Sequence, residues 1–187
     1  MKNKSLLLTI AILIFAMSSV AQVTGSFTDT RDGKIYKTVK IGNQVWMAEN
    51  LNYDAGEGSW CYDNNAENGK KYGRLYTWDA ARRAVPKGWH LPSEEEYKTL
   101  LKNLGGSDSV AYKQIIQGGI SGFNALFGGW RSDDGNFYNV GKEIYFWSTT
   151  EYEDENAGYL LVRSGYKKAY MDSNYKIFAF SVRLLKD

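Results

Sequence analysis

Four phrases constrain this fold most, each setting Trp or Tyr beside Gly, Asn or Pro: IGNQVWMAENLNY (41–53), YGRLYTWDAA (72–81), GWHLPSEEEY (88–97) and FWSTTEY (146–152), the last echoed by FSVRLLKD (180–187). Bulky rings next to turn-forming residues bury large areas without long regular elements. Such a chain suits an irregular, aromatic-cored α+β module better than a regular layered enzyme fold. The aromatic load is heavy, with 6 Trp, 14 Tyr and 8 Phe in 187 residues.

Residues 1–21 read as an export signal. Lys2 and Lys4 are followed by an apolar stretch (6–16) too short to span a bilayer, and Ser19-Val20-Ala21 supplies small residues before a cleavage point. A membrane anchor is the competing reading, but no stop-transfer charges follow. No Cys lies near the cleavage point for lipid attachment. The expected product is secreted, extracellular or periplasmic, with no stable membrane insertion after signal removal. Losing Lys2 and Lys4 leaves 21 basic against 21 acidic residues. A neutral chain has no basic field for a phosphate backbone, so nucleic acid is not an expected partner. Residues 22–187 have no linker-like stretch and suffice for one domain with a sizeable core. Cys61 is the only cysteine, so no intrachain disulfide can form. It reads as a small, partly buried residue rather than a reactive thiol.

Along the chain, residues 26–47 read as a β-meander, with turns at Asp32-Gly33 and Gly42-Asn43. Residues 52–73 are rich in Asn, Gly and Asp and read as a long ordered loop. Two helices are predicted. The first covers about 78–84, with Thr77 as N-cap and Pro86 beyond its end. The second starts at Ser93, whose spacing to Glu96 makes a capping box. Tyr97, Leu100, Leu101 and Leu104 form its buried stripe, Glu94 and Lys98 an i,i+4 pair, and Gly105-Gly106 its end. Short strands are predicted at 136–138 and 144–148, a hairpin pairs 159–163 with 168–171, and the alternating run 178–184 reads as a closing strand.

The candidate chemistry is sparse. His90 is the only histidine, and neither HExxH nor GxSxG occurs, which disfavours zinc sites and Ser-His hydrolysis. Between Trp89 and the capped helix, His90 reads as a packed structural residue. Trp130, Arg131, Asp133, Asp134, Asn136 and Tyr138 offer an aromatic face with carboxylate, amide and guanidinium groups, a mixture suited to sugar rings. Glu151, Glu153, Asp154, Glu155 and Asn156 are candidate calcium ligands, because hard cations take clustered oxygen donors; a solvated acidic turn is the plain alternative. No other cofactor is indicated. Arg163, Lys167, Lys168 and Tyr170 form either a second polar face or the solvent side of a hairpin.

The four phrases, in this order, resemble the Fibrobacter succinogenes major paralogous domain over residues 26–187. The resemblance implies a small module related to C-type-lectin-like and formylglycine-generating-enzyme-like folds, with terminal strands pairing and long loops between helices and sheet. The formylglycine-generating branch relies on paired active-site cysteines, and one cysteine cannot supply them. The resulting expectation is a non-enzymatic binding module whose partner is a glycan or a cell-surface protein. The alternative is a structural or adhesive component that self-assembles.

Overall fold

The computed structural model describes residues 24–106 and 109–187; the expected export signal lies outside them. From the N-terminal side run β1 (Thr24–Thr28), β2 (Ile35–Ile41), β3 (Gln44–Met47), β4 (Ser59–Cys61), a 3-10 turn (Tyr62–Asn64), α1 (Ala66–Tyr72), β5 (Arg74–Tyr76), α2 (Trp78–Arg83) and β6 (Trp89–His90). Then follow α3 (Glu94–Asn103), α4 (Ser109–Ile115), β7 (Trp130–Arg131), β8 (Phe137–Tyr138), β9 (Glu143–Glu153), β10 (Asn156–Arg163), β11 (Lys168–Tyr175) and β12 (Leu185–Lys186). The chain is α+β, with small antiparallel sheets and four helices among the described residues rather than the two expected.

The meander forms as its turn residues dictate. Asp32-Gly33 brings Thr28 opposite Ile35, and Gly42-Asn43 brings Ile41 opposite Gln44. The five-stranded sheet has the order β1-β2-β3-β12-β6. The terminal strands therefore share a sheet without pairing: β12 lies between β3 and β6, and β1 is an edge.

Local signals also fix α3. Ser93 Oγ accepts from Glu96 N at 3.3 Å, and Ser93 N donates to Glu96 Oε2 at 2.7 Å, completing the capping box. Tyr97, Leu100, Leu101 and Leu104 are buried on one face, and Gly106 N returns to Leu101 O at 2.8 Å. The two unexpected helices are short. α1 buries only Gly69 and is held by Asn65, whose side chain accepts from Glu67 N, so no apolar stripe announces it. α4 buries Ala111, Tyr112 and Ile115 within seven residues, too few turns for a clear period. Residues 52–73 are accordingly not one long loop, since they contain β4, the 3-10 turn and α1, and β4 pairs with β5.

The three-stranded sheet β11-β10-β9 is the centre of the molecule. In β10 every residue from Ala157 to Val162 is buried, because both faces of this sheet are covered. On one face Ile144, Phe146, Leu160 and Val162 meet α3, α4 and Trp46. On the other, Tyr145, Trp147, Tyr159 and Leu161 meet α2 and the C-terminal segment. Phe180 stacks there on Trp147, with ring centroids 4.2 Å apart, and lies 4.7 Å from Tyr145 and 4.9 Å from Tyr159.

Residues 178–184 do not form the expected strand. They are a buried thread whose hydrogen bonds go to several neighbours. Ala179 pairs with Arg131, Phe180 with Tyr76, and Ser181 bridges Tyr145 and Trp147; the carbonyls of Val182 and Leu184 accept from Leu51 and Met47. Changing partner at nearly every residue satisfies the buried backbone but leaves no continuous ladder. Arg183, on this thread, is wholly buried.

Candidate functional site

The polar-aromatic segment 130–138 folds into a tight hairpin, β7 to β8. Its turn is closed by Ser132 N to Asn136 O at 2.9 Å and by Gly135 N to Ser132 O at 3.2 Å. Asp134 fastens the same turn: its Oδ1 accepts from Asn136 N at 2.9 Å and from the Ser132 hydroxyl, and its Oδ2 accepts from Asn136 Nδ2 at 2.8 Å. The Ser132 hydroxyl, with the Asn136 donors, holds the Asp134 carboxyl below its ordinary pKa. Asp134 is thus a turn-forming residue. Asp133 is exposed, and its side chain makes no hydrogen bond with other described residues.

Trp130 is not an outward platform. Its ring packs against Tyr138 (5.0 Å), Phe178 (5.1 Å), Tyr145 (6.1 Å) and Phe180 (6.4 Å), at the margin of the aromatic core. Its buried Nε1 has no hydrogen-bond partner among the described residues. Arg131 also turns inward. Its guanidinium lies 4.0 Å from the Trp60 ring centroid and 5.8 Å from that of Phe137, and Nη1 donates to Ser132 O at 3.2 Å. The ring that does face outward is Tyr138, 39% exposed and backed by Trp130.

Beside Tyr138 the fold brings two residues that sequence reasoning missed. Asp63, Asn64, Gly135, Asn136, Phe137 and Tyr138 line one shallow depression of about 470 Å³. Asp63 and Asn64 both hold a left-handed backbone, each with φ of 54°, a conformation that costs energy for any residue with a Cβ and is best tolerated by short polar ones. Their neighbours pin this turn. Tyr62 packs on Phe137 at 5.2 Å, Asn68 Nδ2 donates to Tyr62 O at 3.1 Å, and Asn65 caps α1. Gly129 completes the fit, with φ of 68°, where a Cβ would collide with the Tyr138 carbonyl and the Tyr62 ring. The side chains of Asp63 and Asn64 make no hydrogen bond with other described residues. The run Asp63-Asn64-Asn65 carried a turn signal, but only tertiary packing places it against β8.

The acidic run lies elsewhere. Glu151 and Glu153 end β9, Asp154 and Glu155 form a hairpin tip, and Asn156 opens β10. Lys176 Nζ is 2.7 Å from Glu151 Oε2, which lowers the Glu151 pKa, and 2.8 Å from the Asp154 carbonyl. Lys176 N also donates to Glu155 O at 2.8 Å. Among the described residues no three His, Cys, Asp or Glu side chains converge as a metal ion requires, and Glu151, Glu153, Asp154 and Glu155 form no such group. Asp154 and Glu155 line a different depression with Thr77, Asp79 and Tyr175, sharing no residue with the one beside Tyr138.

His90 is held at both ring nitrogens, Nδ1 by Asp187 Oδ1 at 2.8 Å and Nε2 by Glu96 Oε1 at 2.9 Å. Partial burial lowers its pKa, but the two carboxylates outweigh it and the net shift is upward. Cys61 is partly buried, with its Sγ against Gly69.

The sequence model of the Fibrobacter succinogenes major domain matches residues 39–186. The chain belongs to this family. No curated protein and no solved structure matches it. Within this Fibrobacter succinogenes major domain lie all residues of the Tyr138 depression, His90 with its partner Glu96, and the buried C-terminal thread, whereas β1 precedes the matched span and Asp187, the other partner of His90, follows it.

Proposed function

We propose that this domain is an exported, non-enzymatic binding module of C-type-lectin-like architecture that recognises a glycan through the Tyr138 depression. The observation that carries this reading is the pairing of an exposed, rigidly backed aromatic ring with uncommitted polar side chains. Tyr138 rests on Trp130, and Asp63 and Asn64 stand at its edge in a strained turn, their side chains without hydrogen bonds to other described residues. Backbone strain that the surroundings enforce is common where a fold presents groups to a ligand. A sugar offers an apolar C–H face to the ring and hydroxyls to the carboxylate and amides, and a shallow site of this kind concentrates modest affinity in few side chains. The groups that acid-base or nucleophilic chemistry would use are committed to structure: His90 bridges two carboxylates and Cys61 packs against Gly69.

The test is a glycan array followed by calorimetry on the best ligand. Tyr138→Ala and the pair Asp63→Ala with Asn64→Ala should each weaken binding at least tenfold while the fold persists. Wild-type affinity in both variants would remove the depression as the site. Concentration-dependent self-association with no glycan bound would favour an adhesive role instead.

A further inference from the structure

The register that builds the aromatic core also sets two cations face to face at its margin. Arg163 on β10 is the direct cross-strand partner of Lys168 on β11, across a turn (164–167) in which Lys167 holds a φ of 50°. Like charges directly opposite on a sheet repel and are destabilising. Arg163 is partly neutralised from its other side, where Glu143 on β9 is its partner, 2.8 Å from Nε. Glu143 is fixed in turn by Asn139 Nδ2 at 2.6 Å and by the Tyr145 hydroxyl. Lys168 has no such relief; it is exposed, and its side chain has no hydrogen bond, ion pair or ring contact with other described residues. Tyr170, two residues on, shares its face. In the turn Tyr166 is 73% exposed and stacks on no other ring among the described residues. Arg163, Tyr166, Lys168 and Tyr170 line one depression of about 370 Å³.

We propose that this depression is a second ligand subsite, built for the anionic group of an acidic saccharide, a uronic acid carboxylate or a sulfate ester. An anion there screens the Arg163–Lys168 repulsion that the fold leaves standing. The guanidinium offers a planar fork held in place by Glu143, and Lys168 a mobile point charge, a combination suited to carboxylate or sulfate oxygens. The two tyrosines supply the rest, giving a sugar ring apolar surface and hydroxyl donors beside the charge. The subsite uses none of the residues of the Tyr138 depression, so it goes beyond the reading above and stands or falls separately.

The experiment is calorimetric titration of the purified protein at low salt with four probes: oligogalacturonate, dextran sulfate, neutral dextran and poly-glutamate. At least one anionic saccharide should bind tenfold tighter than both dextran and poly-glutamate, and raising the salt should weaken it. Binding of oligogalacturonate alone assigns the carboxylate, and of dextran sulfate alone the sulfate ester. Lys168→Gln combined with Tyr166→Ser should weaken that binding at least tenfold, and Lys168→Arg should retain it within threefold. Near-UV circular dichroism checks that each variant is folded. The proposal is overturned if dextran binds as tightly as the acidic saccharides, if poly-glutamate matches them, or if the folded double variant binds like the wild type. It is equally overturned if Lys168→Arg loses binding as the double variant does.

Discussion

Replacing Arg183 tests the account of the core most severely. This side chain is wholly buried, and no carboxylate among the described residues forms an ion pair with it. Its charge is balanced by oxygen dipoles: Nε donates to Asn50 Oδ1 at 2.7 Å, Nη1 to Met47 O at 3.0 Å and to Phe123 O, and Nη2 to Asn124 O at 2.9 Å. The rings of Phe123 and Phe146 lie 4.7 and 5.5 Å from its guanidinium carbon. Burial lowers its pKa, as it must for a cation taken from water without a counter-charge. Arg183→Ala strips the donor from four acceptors at once and opens a cavity. Each acceptor left dry costs about 1–3 kcal/mol, less where water enters the hole. Breaking a buried charged network in this way costs roughly 3–5 kcal/mol in total. Small domains have about 5–15 kcal/mol to lose, so the variant should sit near the edge of folding. Arg183→Lys keeps the charge, but one ammonium cannot span four acceptors on two separate segments, and it should be destabilised nearly as much. Urea unfolding followed by tryptophan fluorescence measures both. A loss under about 1 kcal/mol for Arg183→Ala would refute the claim that this guanidinium ties residues 47–50 and 123–124 to the C-terminal thread.

Other expectations follow from the same geometry. The pKa of His90 is raised in the folded state, so its clamp between Glu96 and Asp187 contributes stability that is fully present below the unfolded value near 6.5 and is lost as pH rises through the folded value. The wild type should therefore lose stability relative to His90→Gln as the pH is raised above about 6.5 in urea titrations, and parallel profiles would contradict this. Ser93→Ala, which removes the α3 cap, should cost about 1 kcal/mol. Leu101→Ala, on the buried face, should cost roughly 2–5 kcal/mol, and equal, negligible losses would mean that α3 is not packed as described. Trp130→Ala should lower the melting temperature, because four other rings pack on it, whereas Tyr138→Ala should change stability by only about 0.5 kcal/mol. The reverse order would make Trp130 the exposed platform after all.

By itself the sequence determined what local chemistry dictates. Ser93 and Glu96 form their capping box whatever packs above them, Asp32-Gly33 and Gly42-Asn43 turn the chain where the meander requires it, and the pairing of 159–163 with 168–171 follows from two β-prone runs around a tight turn. The family phrases and the α+β class were legible for the same reason, since aromatic residues beside turn formers mark a core as well as a bend. Tertiary structure decided where long-range partners compete. Trp130 looked available beside a polar loop, yet Phe178 and Phe180, remote in the chain, draw it into the core and leave Tyr138 outside. Asp134 was as plausible a ligand group as Asp133 until turn closure consumed its oxygens. The acidic residues 151–156 were adjacent in sequence, but they run through a hairpin tip without forming a metal-binding group among the described residues, and Lys176 pairs with Glu151. The run 178–184 alternates like a strand, and only the packing of both its sides explains why it threads between neighbours with Arg183 sealed inside. Periodicity records which residues seek burial; which surface meets them, and which polar groups remain free for a ligand, depends on segments scores of residues away.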